Sequence, residues 1–290
     1  MDFLSPTTLA DALAARAEQP GAVPIMGGTD VMVEINFDRH RPPALLDLTR
    51  VTDLATWERV GGEVRLGAGV TYARVISELA TELPGLALAA RTVGSPQIRN
   101  RGTVGGNLGA ASPAGDCHPA LLAAHAEVEL SSVAGVRRVP VADFYTGPKK
   151  HAGRPDELVT AVWVRAASGP QQFSKIGTRN AMVIAVAAFG LALHPDQRAV
   201  GTGIGSAGPT PLRAREAETF LAGELDWDGR VAVPDRVARE FGRLVAAAAT
   251  PIDDVRGTAA YRRHALAVMA RRCLAWAWAD HRAGHQEGQG

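Results

Sequence analysis

Two glycine pairs constrain this chain more than any other feature: Gly27-Gly28 in VPIMGGTDVMVE and Gly105-Gly106 in RNRGTVGGNLGAASPAGD. Each sits among small and polar residues, where a backbone without Cβ atoms can approach a neighbour or a ligand closely. The first pair follows a short apolar run, Val23–Met26, that reads as a buried strand. Thr29–Phe37 then reads as a helix, and Ala44–Leu48 as a second strand. Strand, glycine turn, helix, strand is a βαβ order, which calls for parallel strands.

An earlier helix is announced by Thr8, with Asp11 at capping-box spacing, and is stopped by Pro20-Gly21. Beyond residue 56, Glu63–Ala68 alternates like a half-buried strand. Helices follow at Thr71–Leu79 and Leu86–Thr92, separated by Pro84-Gly85. Residues 101–115 hold five glycines and almost no bulky side chain, so they read as loop. A short helix at Asp116–Ala124 precedes strands at Glu127–Ser131, Val136–Val141 and Leu158–Arg165, which read as an antiparallel sheet. In the last third, Gln171–Gly177, Val183–His194 and Ala199–Ile204 read as strands. Helices are expected near 212–222, 234–249 and 258–282, the last packing through Tyr261, Leu266, Met269, Leu274, Trp276 and Trp278. The fold class is therefore α+β: a small βαβ lobe, an antiparallel-sheet lobe, and a C-terminal three-stranded sheet with helices.

A chain of 290 residues can bury a large core and divide into lobes. Its formal net charge of +1 gives no nucleic-acid footprint. Cys117 and Cys273 are its only cysteines, so cysteine ligands for an iron–sulfur cluster or a zinc site cannot come from this chain. No apolar stretch reaches the roughly 20 residues that span a bilayer. MDFLSPTTLADAL lacks the pattern of a signal peptide, so a cytoplasmic location is expected.

The GGTD turn, set between a strand and a helix, can present backbone N–H groups to a phosphate, and Thr29 adds a hydroxyl. In the second stretch Thr103 and Asn107 can donate to phosphate oxygens, and Asp116 can accept from a sugar hydroxyl. Gly203, Gly205 and Gly208 also match GxGxxG, but the preceding strand reads as one arm of an antiparallel pair and prolines follow, so this motif is dismissed. His118 and His125 lack a third ligand at useful spacing and read as polar surface residues; Cys117 reads as a small packing residue.

With these motifs placed, the chain resembles the FAD-binding subunits of the molybdenum hydroxylases, which include the flavin subunits of bacterial xanthine dehydrogenases and the medium subunits of aerobic carbon monoxide dehydrogenases. The likeness runs through GGTDVMVE, VGSPQIRNRGTVGGNLGAASPAGD, DFYTGP, DELVT, FSKIGTRNAM and PIDDVRGTAAYRRHAL. It implies that FAD lies between the two lobes. The pyrophosphate loop falls on Pro24, Ile25, Met26, Gly27, Gly28, Thr29, Asp30 and Val31. The second nucleotide motif falls on Thr103, Val104, Gly105, Gly106 and Asn107, and further cofactor contacts fall on Asp116, Leu158 and Lys175. Some relatives carry an aromatic contact where this chain departs from the pattern with Val93.

The resemblance further implies an FAD-binding domain over 1–170 (lobes 1–56 and 57–170), a flavoprotein C-terminal domain over 171–284, and a frayed tail at 285–290. The [2Fe–2S] clusters would come from a small partner subunit and the molybdopterin from a large one, in a heterotrimer. Electrons from a xanthine dehydrogenase-like hydroxylation would pass through FAD to NAD or another acceptor. The alternatives are a carbon monoxide or aromatic/aldehyde hydroxylase flavin subunit, a stand-alone flavin reductase, and a non-catalytic assembly protein.

Overall fold

The computed structural model describes residues 1–228 and 231–287. The first lobe contains β1 (Asp2–Leu4), α1 (Leu9–Glu18), β2 (Val23–Ile25), α2 (Val31–Asn36) and β3 (Ala44–Asp47). Its strands lie in the order β1-β3-β2, all parallel. Thr8 caps α1, its hydroxyl accepting from the Asp11 N–H at 3.1 Å. The βαβ order read from the sequence is present; β1 went unread because three largely exposed residues carry no periodic signal.

The second lobe opens with β4 (Trp57–Val60), β5 (Glu63–Gly67), α3 (Tyr72–Glu78), α4 (Pro84–Arg91), α5 (Pro96–Arg101), α6 (Val104–Ala110) and α7 (Cys117–Ala123). It continues with β6 (Glu127–Ser132), β7 (Gly135–Pro140), α8 (Val141–Phe144), β8 (Tyr145–Gly147), β9 (Lys150–His151) and β10 (Leu158–Arg165). A five-stranded antiparallel sheet runs β4-β5-β10-β6-β7. Pro84-Gly85 do not separate two helices, as the sequence reading had it. They open α4, where proline's missing N–H costs nothing. The register of β10 shifts between Val159 and Ala161. Leu158, just before the shift, packs into the apolar core of the first lobe and ties the two lobes together.

The last third holds β11 (Gln171–Ile176), β12 (Ala187–His194), β13 (Ala199–Gly205), α9 (Arg215–Glu224), α10 (Asp235–Ala248) and α11 (Ala259–Glu287). Its strands form an antiparallel meander. Every residue of β12 is buried because helices cover both faces of the sheet. The GxGxxG residues take their meaning from this packing. A Cβ on Gly203 would lie 2.0 Å from the Pro119 carbonyl oxygen, and one on Gly201 1.9 Å from that of Ala123. These glycines seat α7 on the sheet, in keeping with the dismissal of the motif. On α11, Leu266, Met269, Leu274 and Trp278 are buried as expected, whereas Tyr261 and Trp276 are about half exposed. The helix runs on through Glu287, so the expected frayed tail is helical over 285–287; residues 288–290 lie outside the described residues.

Candidate functional site

A cavity of about 320 Å³ lies between the first two lobes. One wall is β2 and the turn that follows: Pro24, Ile25, Met26, Gly27, Gly28, Thr29, Asp30 and Val31. Gly28 has φ +74°, a conformation that suits glycine. Among the described residues no group accepts from the backbone N–H of Gly27, Gly28, Thr29, Asp30 or Val31. Five successive donors without a partner in residues that line one wall are the arrangement that suits an anion.

The facing wall comes from the second glycine motif, and here the sequence reading needs correction. Residues 104–110 are not loop but helix α6, capped by Thr103, whose hydroxyl accepts from the Gly106 N–H at 3.0 Å. Val104 and Leu108, one turn apart, are fully buried and anchor it, so packing overrides the poor helix propensity of glycine. Gly105 brings α6 against β5: a Cβ there would sit 2.4 Å from that of Ala68. Its neighbours Gly106, Gly109 and Ala110 line the cavity.

The first-turn N–H groups of α6 are engaged within the fold. Val104 donates to Val70 O at 3.3 Å, Gly105 to Ala68 O at 3.0 Å and Asn107 to Thr103 O at 3.0 Å. The two glycine stretches are therefore unequal partners. The first supplies donors; the second supplies a wall without side chains, together with the Thr103 hydroxyl.

Of the other expected contacts, Thr103 and Leu158 line this cavity, whereas Val93, Val104, Asn107, Asp116 and Lys175 do not. Val104 belongs to the core. Asp116 and Lys175 meet elsewhere, where α4 and α7 approach β11. Lys175 Nζ donates to Asp116 Oδ2 at 2.6 Å and to Thr92 O at 3.2 Å. Thr92 Oγ1 donates to Asp116 Oδ2 at 3.3 Å, and Val93 is the next residue in the chain. Both partners of the ion pair are buried, at 8% and 9% side-chain exposure. Burial raises the Asp116 pKa, and the Lys175 charge opposes that rise. Asp116 Oδ1 and Asn107 Oδ1 are buried with no hydrogen-bond partner. Asn107 borders the same place, its Nδ2 lying 2.9 Å from where a Cβ on Gly115 would stand.

His118 is also corrected. It is fully buried, not a surface residue, with Nδ1 2.6 Å from Tyr145 Oη. Burial pushes its pKa down to about 3, against a smaller opposing pull from the Ser112 carbonyl. Cys117 is buried, as its packing role requires, and burial raises its thiol pKa. No cluster of three His, Cys, Asp or Glu suited to a metal exists among the described residues, and no described helix is long and apolar enough to cross a membrane.

The sequence reading missed Arg16, His40, Lys149, His151 and Glu157, which also line the cavity. They are isolated polar residues from distant parts of the chain, and no local pattern marks them. Lys149 pairs with Glu34 of α2, joining the two lobes.

Residues 1–164 match the family described as the FAD binding domain in molybdopterin dehydrogenase, and residues 172–277 match the CO dehydrogenase flavoprotein C-terminal domain. The chain belongs to this FAD-binding family of oxidoreductases. It is 33% identical to the nicotinate dehydrogenase FAD-subunit of Eubacterium barkeri over 77% of this chain and 79% of that one. It is 31% identical to the nicotine 6-hydroxylase medium subunit of Paenarthrobacter nicotinovorans, over 94% and 95%. Among solved structures, a chain of reconstituted CO dehydrogenase from Oligotropha carboxidovorans superposes with TM-score 0.88 at 29% identity, covering 97% of this chain and 98% of the other.

Proposed function

We propose that this chain is the electron-transfer subunit of a molybdenum hydroxylase and holds FAD between its first two lobes. The carrying observation is the run of unpaired N–H groups from Gly27 to Val31, facing the side-chain-free wall of α6. That run would hold the pyrophosphate, with the Thr103 hydroxyl opposite. The unpartnered Asp116 Oδ1 and Asn107 Oδ1 mark a second polar place that suits the hydrogen-bonding edge of the ring system. Lys175 holds the Asp116 carboxylate there, and Leu158 supplies an apolar contact.

Bound FAD would supply the redox chemistry, exchanging single electrons or a hydride with its neighbours. The protein's part is to bind and orient. The [2Fe–2S] clusters would be carried by a small partner subunit and the molybdopterin by a large one, with NAD or another acceptor receiving the electrons. Nicotinate and nicotine, named for the two relatives above, are nitrogen heteroaromatics like xanthine. This supports a xanthine dehydrogenase-like hydroxylase. Purification of the tagged chain from its own cells tests the proposal. Co-purifying subunits that carry iron and molybdenum, with flavin bleached anaerobically by the heteroaromatic substrate, are expected. A chain recovered alone, with flavin that no such substrate bleaches, would overturn it.

A further inference from the structure

The end of the cavity remote from the glycine turn has its own polar chemistry. Arg16, near the end of α1, donates through Nη1 to Ala22 O, at the start of β2. Its Nε is buried and has no hydrogen-bond partner. His151 lies in the same cavity wall. Its ring stacks on Phe144 at 5.0 Å with the planes 3° apart, and its Nδ1 accepts from the Gly153 N–H at 3.1 Å. An accepting Nδ1 places the proton of the neutral ring on Nε2. Burial, reinforced by the Arg16 charge, lowers the His151 pKa and favours that neutral ring. Among the described residues no group takes the Nε2–H.

Two carboxylates are near: Asp156 acts on the Arg16 charge, and Glu157, which acts on His151, is already engaged. Glu157 accepts from Arg137 at 2.7 and 2.8 Å and from the Arg154 N–H at 2.7 Å. Two donors of cavity-lining residues, the buried Arg16 Nε and His151 Nε2, therefore lack a partner among the described residues. Between it and the first glycine turn, the chain runs from Ala22 through β2 to Gly27, about 16 Å if extended throughout. An extended run of that length leaves room for a nucleoside between Arg16, bonded at Ala22, and the first glycine turn. Leu48, Leu54 and Leu158 also line the cavity, apolar surface against which a flat base can lie.

We infer that Arg16 and His151 are specificity-determining residues that hold the adenosine end of the dinucleotide, donating to the acceptor ring nitrogens and ribose oxygens, and so select FAD over a flavin mononucleotide. This rests on the flavin-binding reading above.

The test titrates flavin-free protein with FAD, FMN and ADP, in wild type, R16L, R16K and H151F. H151F keeps an aromatic ring to stack on Phe144 and removes the Nε2 donor together with the Nδ1 acceptor of the Gly153 N–H; R16K keeps the charge and removes Nε. Thermal melts confirm that each variant is folded. R16L is expected to weaken FAD and ADP at least tenfold, and R16K and H151F at least threefold, with FMN unchanged in all. Wild type that takes up FAD, with R16K and H151F binding FAD and ADP as wild type does, would overturn this inference and leave the flavin reading intact. Equal weakening of FMN would also overturn it, placing these side chains at the phosphate that both flavins share. Wild type that takes up neither flavin would overturn the flavin reading, and this inference with it.

Discussion

Gly27 lies so close to Arg101 that a Cβ on it would stand 2.1 Å from the Arg101 carbonyl oxygen. The first glycine turn is thus pressed onto the backbone that leads into α6, and the two glycine motifs form one structure. Gly27→Ala must push them apart. Overpacking of this kind costs about 1–3 kcal/mol, and the displaced donors no longer converge. The variant is expected to retain less than a tenth of the wild-type flavin, while Gly62→Ala, whose Cβ would meet nothing within 4 Å, retains all of it. Flavin-to-protein ratios after gel filtration, alongside thermal midpoints, decide the matter.

Thr103 has two tasks, capping α6 and offering a hydroxyl to the cavity. Thr103→Ala is expected to lower stability by about 1 kcal/mol, the usual value of a cap, and to weaken FAD. Thr103→Ser should restore both. Urea unfolding measures the first effect, and flavin fluorescence titration the second.

Lys175 and Asp116 join β11 to the start of α7 by a buried ion pair. Removing one partner of such a pair costs about 3–5 kcal/mol. Lys175→Met should fall in that range, because it leaves a buried carboxylate whose pKa burial already raises. Adding Asp116→Asn to Lys175→Met should recover much of the loss. A double-mutant cycle in urea would show the coupling, and strictly additive losses would refute it.

His118 makes stability depend on pH. Its folded pKa of about 3 lies below the ordinary histidine value, so folding favours the neutral ring. The contribution is complete above about pH 6.5 and is lost as pH falls towards 3. Between pH 7 and pH 4.5, wild type should lose about 2–3 kcal/mol more than His118→Gln does. Equal losses in urea melts at the two pH values would show that the ring does not titrate with unfolding.

Much of this architecture was legible in the sequence, and its gaps have physical causes. The βαβ lobe could be read because apolar strands flank a glycine turn at short range. Strand β5 could be read from the alternation of Glu63–Ala68. Helix α6 could not, since glycine has poor propensity and the helix exists through the burial of Val104 and Leu108 and the contact of Gly105 with Ala68. The first glycine turn was legible as a candidate site, while the difference between the two motifs depends on which N–H groups the fold consumes. Arg16 and His151 were invisible because only the packing of the lobes brings them to one wall.

The central claim is that the Gly27–Val31 donors hold the pyrophosphate of FAD. The most direct measurement is an absorption spectrum of the purified chain, with the released cofactor identified by mass, for wild type and Gly27→Ala. Wild type should show flavin bands and release FAD at close to one per chain, and Gly27→Ala should be nearly colourless though folded. A colourless wild type that refuses added FAD, or a Gly27→Ala variant as yellow as wild type, would contradict the account.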